Sequence, residues 1–437
     1  MGDHAMVWAE NILRGLLNKL VTRGSFEVEL YNGTRWTFGD GSGKRIVVRI
    51  ADRKVATELI RDPEVRFGEL YMDGRLEIVE GTLYELLELL LQHGVGMRRF
   101  TGRKLFLMAR KIRHFLFGRN TLMRSRRNVV HHYDLNAAFY DLFLDTDRQY
   151  SCAYYAAPDM TLEEAQRAKC RHLAAKLLID PGMSVLDIGS GWGGLGLYLA
   201  EVGEAGRVKG VTLSDEQLAV AQKRAADKGY EHVKFELQDY RNTRGTFDRL
   251  ISVGMFEHVG PENYDTFFRK ASDLLADDGV FMLHTIGHTS TPGLTNGWIT
   301  KYIFPGGHLP ALSEVVTAVE KSGLMMADVE VLRHHYADTL REWRARFMAQ
   351  RDKALALYDE RFCRMWECYL ALCEAAFRFL DVVVYQFQLT HRNDVVPITR
   401  DYIAKREAAL FAREKALGEP TAARSWRDMA TVISSGC

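Results

Sequence analysis

Between Val185 and Gly194 the chain reads Val-Leu-Asp-Ile-Gly-Ser-Gly-Trp-Gly-Gly, a short apolar run that ends in an acid and opens into closely spaced glycines. Residues of these types in this order can cradle a nucleoside-bearing cofactor. Glycines let backbone N–H groups approach a ligand with no Cβ in the way, as the helix expected over 194–203 begins. Gly189, Gly191 and Gly194 satisfy G-x-G-x-x-G. A dinucleotide site, however, also wants an acid near the end of the second strand, about 20 residues on. The strand expected over 207–213 (RVKGVTL) ends without one, and the acid instead precedes the glycines at Asp187. No G-K-[ST] accompanies the loop, so it does not suit a nucleotide triphosphate.

A loop of this kind needs a sheet to carry it. The following sequence alternates apolar runs at 208–213, 233–237, 247–253 and 280–286 with helical patterns at 215–228 and 263–276. A helix over 311–322, a strand over 326–332, helices between 338 and 379 and a strand near 381–388 complete the series. This order implies an α/β fold with a doubly wound parallel sheet, whose ligand lies beyond the carboxyl ends of its strands. Residues just after each strand should then face one cavity: Asp187, Thr212 and Ser214, Gln238 and Asp239, Glu257 and His258, His284 and Ile286. Singly, each has a plain structural explanation. Thr212 or Ser214 can cap a helix, and a lone histidine at a strand end is more often a satisfied core residue. Glu257 is harder to dismiss, because it follows an apolar strand where an unpartnered carboxylate is costly.

The 437 residues, 47% of them hydrophobic, suffice for two or three domains. A helix over 1–24, a hairpin over 25–38 turning at Asn32-Gly33, a strand over 45–50 and helices over 53–61 and 81–92 predict a small α+β domain over 1–95. Its acids Asp40, Asp52 and Glu69 read as isolated surface charges. The net charge of +1 hides a basic stretch: 89–133 carries no Asp or Glu, while arginines and lysines accumulate from Arg98 to Arg127. Leu105, Met108, Ile112 and Phe115 recur there at helical spacing, which predicts a basic amphipathic linker over 96–130. That segment suits an anionic lipid surface, a nucleic-acid backbone, or a solvated helix paired with acids elsewhere. A larger domain over 131–410 and a helical tail over 411–437 follow. The six cysteines form no C-x-x-C pair, and the chain opens without a basic stretch leading into an apolar core, so a reducing, cytoplasmic setting is expected. Cys363, Cys368 and Cys373 recur every five residues, off any single helix face, and read as packing rather than metal ligands. No apolar run approaches the roughly 18 residues a membrane span needs, so membrane contact should be peripheral.

The acid-then-glycine order resembles the first motif of S-adenosylmethionine-dependent methyltransferases. More specifically, the chain resembles the cyclopropane fatty acid synthase family, through HHYDL (131–135), QYSCAYY (149–155), VLDIGSGWGG, GVTLSDEQ (210–217), LQDYR (237–241), SVGMFEHVGPENYD (252–265), LHTIG (283–287), KYIFPGGHLP (301–310) and HHYADTL (334–340). FGELYMDG (67–74) suggests the N-terminal domain of the longer bacterial form. The resemblance implies a Rossmann-like seven-stranded methyltransferase sheet. It also implies that an S-adenosylmethionine methyl adds to a cis double bond of a phospholipid acyl chain, with ring closure after a bound bicarbonate removes a proton. By this carry-over Cys152, Glu257, His284, the Ile286 backbone and Tyr336 hold the bicarbonate, with Tyr133 beside them. Tyr150, Ser151, Asp187, Gly189, Gly191, Gly193, Thr212, Gln217, Gln238 and Asp239 hold the cofactor, Gln217 taking the ribose. Tyr133, Tyr150, Tyr154, Tyr155 and Phe256 offer aromatic faces to a cation. Ser190 stands where relatives often have cysteine. The expected partners are an unsaturated phospholipid and an anionic membrane surface, with no nucleic acid, and self-association stays open. A related lipid methyltransferase giving a branched chain is the nearest alternative.

Overall fold

The computed structural model describes residues 3–92 and 136–418. Both the basic linker and Tyr133 lie outside the described residues, as does the tail beyond 418. The described chain packs as two compact units that do not follow its order: one takes 3–92, 294–305 and 340–381, the other 136–293, 306–339 and 382–418.

In the first unit β1 (Ser25–Glu29), β2 (Arg35–Phe38), β3 (Arg45–Ile50) and β4 (Leu76–Glu80) form a sheet in the order β2-β1-β3-β4. Period-two alternation buries Phe26 and Val28 on β1 and Trp36 and Phe38 on β2, while the charges between them face outward. Helix Pro63–Met72 and β4 escaped the sequence reading. Gly68 of that helix lets its backbone meet Trp298, since a Cβ there would fall 2.3 Å from the indole Nε1. The long helix Glu360–Phe379 packs on Pro63–Met72 and on Leu83–Gln92, burying Cys363, Trp366, Cys368 and Tyr369. That packing is why 340–381 groups with the N-terminal residues. None of the three acids expected to be isolated is so: Asp40 accepts the N–H groups of Gly24 and Ser42 (both 3.0 Å). Glu69 is buried and accepts hydrogen bonds from Lys301, from Arg66 (2.6 Å) and from Tyr302 Oη (2.8 Å). Asp52 holds Arg75 through both oxygens (2.8 and 2.9 Å).

The second unit is built on a seven-stranded sheet of β5 (Ser184–Ile188), β6 (Arg207–Thr212), β7 (Val233–Leu237), β8 (Phe247–Val253), β9 (Leu275–His288), β10 (Met325–Leu332) and β11 (Val382–Thr390), in the order β10-β11-β9-β8-β5-β6-β7. Its central strands carry apolar residues toward both faces because both faces are covered. Leu186, Leu250 and Phe281 enter one core, whereas their neighbours Val185, Ile251 and Met282 enter the other. The sheet is mixed rather than wholly parallel, since β11 runs antiparallel to both β9 and β10. Val382 pairs with His288, so β11 enters at the carboxyl end of β9 and runs back. An antiparallel neighbour needs no crossover over the sheet's face. The strand order reverses between β5 and β8, and at that switch point the carboxyl ends open a crevice.

Helix Leu162–Leu177, also unread in the sequence, lies almost wholly buried and starts with a Thr161/Glu164 capping box. Helix Asp401–Ala416 packs along it. This last helix starts ten residues before the expected tail, because its contacts are with helix Leu162–Leu177 and not with solvent alone: Glu414 takes Arg171 (2.6 Å) and Tyr198 Oη (2.5 Å).

Candidate active site

Every carboxyl strand end from β5 to β8 contributes to one cleft. Tyr150, Ser151, Asp187, Gly189, Gly191, Thr212, Gln217, Gln238 and Asp239 all line it. Gly193 does not, but its role is structural: it caps helix Gly194–Glu201 with φ 81°, and a Cβ there would sit 2.8 Å from that of Ala221. Gly189 turns at φ 89°, where a Cβ would lie 2.7 Å from Met255 Cβ, so the left-handed turn and the close approach both demand glycine. Ser214 accepts the Gln217 N–H (3.3 Å) as an N-cap, and Thr212 Oγ1 donates to Gln217 Oε1 (3.2 Å), fixing that side chain. Asp239 is already engaged, taking two hydrogen bonds from Arg241 (2.8 and 2.7 Å).

A second part of the cleft lining comes from residues 148–151. Tyr150 packs edge-on against Tyr140 and Phe143, and Tyr140 against Trp192. Helix Leu162–Leu177 pins the loop from behind: Gln166 Nε2 donates to the carbonyls of Gln149 (3.1 Å) and Ser151 (3.0 Å), and Lys169 Nζ to Gln149 Oε1 (2.6 Å) and Ser151 Oγ (2.9 Å). Lys169 is wholly buried. Its charge favours the ionised forms of Asp187 and Cys152 and disfavours a charged His284, so one ammonium is felt at all three. Sequence reading missed it, since a lysine in a helix is ordinarily solvated.

Asp187 is 1% exposed and its Oδ2 has no hydrogen-bond partner; burial pushes its pKa up to about 7. A carboxylate left half-satisfied at the mouth of a glycine turn suits a cationic group of a ligand.

None of Cys152, Glu257, His284, Ile286 and Tyr336 lines this cleft, although their chain neighbours Ser151, Met255 and His258 do. They form two groups. A short 3-10 turn, Phe256–His258, follows β8 and aims Glu257 Oε1 at the Ile286 N–H of β9 (2.6 Å). Glu257 Oε2 is buried without a partner, and burial pushes the carboxyl up to about 7, the Ile286 hydrogen bond opposing only in part. His284 is two residues before Ile286 on the same strand, hence on the same side of the sheet. Burial, with Lys169 and Lys176 nearby, drives it down to about 3 and keeps the ring neutral. In the second group Cys152 is fully buried, its Sγ–H donating to Ala153 O (3.3 Å), and burial pushes the thiol well up. The next residues tie to helix His335–Ala349: Ala153 N–H donates to Thr339 Oγ1 (3.0 Å) and Tyr155 N–H to His335 Nδ1 (3.0 Å), with buried Tyr336 between them in sequence.

Two aromatic expectations need correction. Tyr154 is stacked between the rings of His172 (4.3 Å) and His335 (4.9 Å), so both of its faces are taken. Phe256 is a core residue stacked on Tyr264 (4.4 Å) and packed by Phe267 and Phe268.

Comparison with known proteins bears on the whole of this arrangement. Residues 12–97 match a domain of unknown function (DUF7884). The cyclopropane-fatty-acyl-phospholipid synthase of Escherichia coli K12 is 38% identical over 346 residues, 78% of this chain and 86% of that protein. A protein of Pseudomonas putida named Probable fatty acid methyltransferase is 34% identical over 80% of this chain and 88% of its own length. Among solved structures, mycolic acid cyclopropane synthase CmaA1 complexed with SAH and CTAB superposes with a TM-score of 0.57 at 37% identity, covering 60% of this chain and 97% of that one. The model for mycolic acid cyclopropane synthetase matches residues 120–387, well over half of the sequence, and the chain therefore belongs to that family.

Proposed function

We propose that the protein transfers a one-carbon unit from S-adenosylmethionine to the cis double bond of an unsaturated phospholipid acyl chain and closes a cyclopropane ring. The observation that carries this reading is the pairing of a glycine-turned cleft with buried polar groups, among them Cys152 and Glu257, each one residue along the chain from a residue that lines it. The relative solved with SAH and CTAB holds a nucleoside and a long-chain molecule on the same fold, and the E. coli relative is named for the phospholipid product.

S-adenosylmethionine supplies an electrophilic methyl group. Bicarbonate, where bound, would supply a base. The residues present fit both. Asp187 and the backbone of the glycine turn would hold the donor, Gln217 its ribose, and the Tyr150–Ser151 wall would keep water from it. An alkene has no acidic proton, so the protein's task is orientation, dryness and a base that acts late. Glu257, with its unsatisfied Oε2 and a carboxyl near neutrality, can donate a hydrogen bond to an oxyanion; His284, neutral, can do so without surrendering its proton. Cys152 and Tyr336 would complete the set, with Ile286 acting through the backbone N–H that holds Glu257 Oε1.

A branched product from the same first step is the second reading, favoured by the Pseudomonas relative's name. Incubation with S-adenosylmethionine and a monounsaturated phospholipid, followed by mass spectrometry of the released acids, should show a gain of one CH₂. No gain rejects the lipid reading, and positional analysis separates ring from branch. We place the enzyme at an anionic surface on the cytoplasmic side, held by the basic segment within 97–128. No helix among the described residues is long and apolar enough to cross a membrane. Anionic liposomes should bind the protein better than duplex DNA at matched salt; the reverse order would favour a nucleic-acid role.

A further inference from the structure

Next to His284 runs a row of buried polar side chains that the proposed chemistry does not use. Gln386 of β11 is directly opposite His284 of β9 in the register and is fully buried. Its Nε2 lies 3.2 Å from His284 Nδ1, and its Oε1 lies 2.9 Å from Lys176 Nζ. Lys176, also fully buried, bonds to Glu330. Glu330 in turn meets His172 Nε2 (2.7 Å), and His172 Nδ1 meets Glu407 (2.8 Å).

The polarity of this row is determined from one end. An ammonium only donates, so the amide oxygen of Gln386 must face Lys176 and the amide NH₂ must face His284. An NH₂ also only donates, so His284 Nδ1 must accept and cannot carry hydrogen. A neutral imidazole has one N–H, which is left to Nε2. Lys176 Nζ also donates to the Glu330 carboxylate, which can only accept; burial lowers the lysine's pKa and that carboxylate opposes the shift. No described residue accepts a hydrogen bond from His284 Nε2.

We propose that Gln386, oriented by Lys176, is a positioning residue that fixes His284 as the Nε2–H tautomer and so equips the candidate site with a neutral donor for a small oxyanion. The inference rests on the reading of His284 given above. Its chemical sense is that an imidazolium would hand its proton to a bound base and quench it. A neutral N–H donor holds the same oxyanion while leaving its basicity intact.

The test is ¹⁵N NMR of the full chain labelled at histidine, together with kinetics. In the unmodified protein His284 should show Nε2 with a directly bonded hydrogen and Nδ1 without one; the opposite pattern overturns the proposal. Gln386→Glu places an acceptor at Nδ1 and should move the hydrogen there. It should lower kcat about tenfold to 100-fold, as loss of an orienting partner does, with KM for S-adenosylmethionine within about twofold. Gln386→Met removes the donor without adding charge and should leave both tautomers populated, with a smaller fall in kcat. A switched tautomer with unchanged kcat would show that Gln386 is structural only. Should the unmodified enzyme add no CH₂ to the lipid, the function fails, but the spectrum still decides the tautomer. If Gln386→Glu does not fold, Gln386→Met carries the kinetic arm.

Discussion

The glycine-lined cleft and the Glu257–His284 group meet at β8, whose carboxyl end lines the cleft and leads into Glu257, yet opposite means build them. The cleft is a local object: Asp187 to Gly193 are consecutive, Thr212 to Gln217 are a strand end and a cap, and backbone conformation does most of the shaping. The buried group is non-local. Its members fall in two places, residues 257, 284 and 286 in one and 152 and 336 in the other, and it works through side chains whose protonation is set by burial. A local backbone site tolerates variation in what surrounds it, whereas a buried side-chain site depends on every partner. The two should therefore fail separately when mutated.

The largest effect expected is on turnover from Glu257→Gln. The amide can still be held by the Ile286 region but cannot hold or release a proton, so turnover should fall on the order of 100-fold or more. Binding of S-adenosylhomocysteine, measured by calorimetry, should stay within about twofold. If both fall together, Glu257 supports the fold of the cleft wall and the separation of the two regions is lost.

The same contrast governs what could be read from sequence. Glycine turns, caps and strand-end polar residues are written in adjacent letters, so Asp187, the glycines, Thr212, Gln238 and Asp239 were legible there, while Tyr150, Ser151 and Gln217 came only from the resemblance. Helix Leu162–Leu177 was not, because Gln166, Lys169, His172 and Lys176 interrupt its apolar pattern while facing inward. Nothing local distinguishes a buried lysine from a solvated one; only Ser151 and Gln149, or Glu330 and Gln386, make it so. The antiparallel entry of β11 is likewise a fact of chain path, not of strand composition. The ligand set at Cys152, Glu257, His284 and Tyr336 was reached by resemblance, since no spacing rule joins residues so far apart.

A smaller, more local effect should follow Gly189→Ala. The residue sits at φ 89° with Met255 Cβ 2.7 Å from where its own Cβ would be. Left-handed strain costs about 1–3 kcal/mol, and relief by shifting the turn would move the N–H groups away from the ligand. Affinity for S-adenosylhomocysteine should fall about tenfold, the equivalent of 1.4 kcal/mol. At saturating cofactor, kcat should change far less than in Glu257→Gln. A loss of kcat as large as that variant's would mean that the turn also shapes the buried group.

The smallest effect is one of pH, and it separates the two carboxyls that burial raises alike. Asp187 and Glu257 both sit near 7 against ordinary values of 3.8 and 4.5. In the free protein the folded state therefore binds more protons than the unfolded one between about pH 4 and 7, and stability declines as pH rises across that window. Replacing either acid by its amide should flatten part of this decline in thermal melts. Cofactor affinity should distinguish them. S-adenosylmethionine carries a sulfonium and an ammonium, so its binding favours ionised Asp187 and releases a proton below pH 7. Affinity should then weaken as pH falls from 7 toward 5, by at most about tenfold per unit, and level off above 7. Asp187→Asn should abolish that slope in calorimetric titrations, while Glu257→Gln should keep it. Were Glu257→Gln to remove the slope instead, the carboxyl sensing the cofactor would be the buried one, and the division between a cofactor cleft and a separate proton-handling group would have to be redrawn around Glu257.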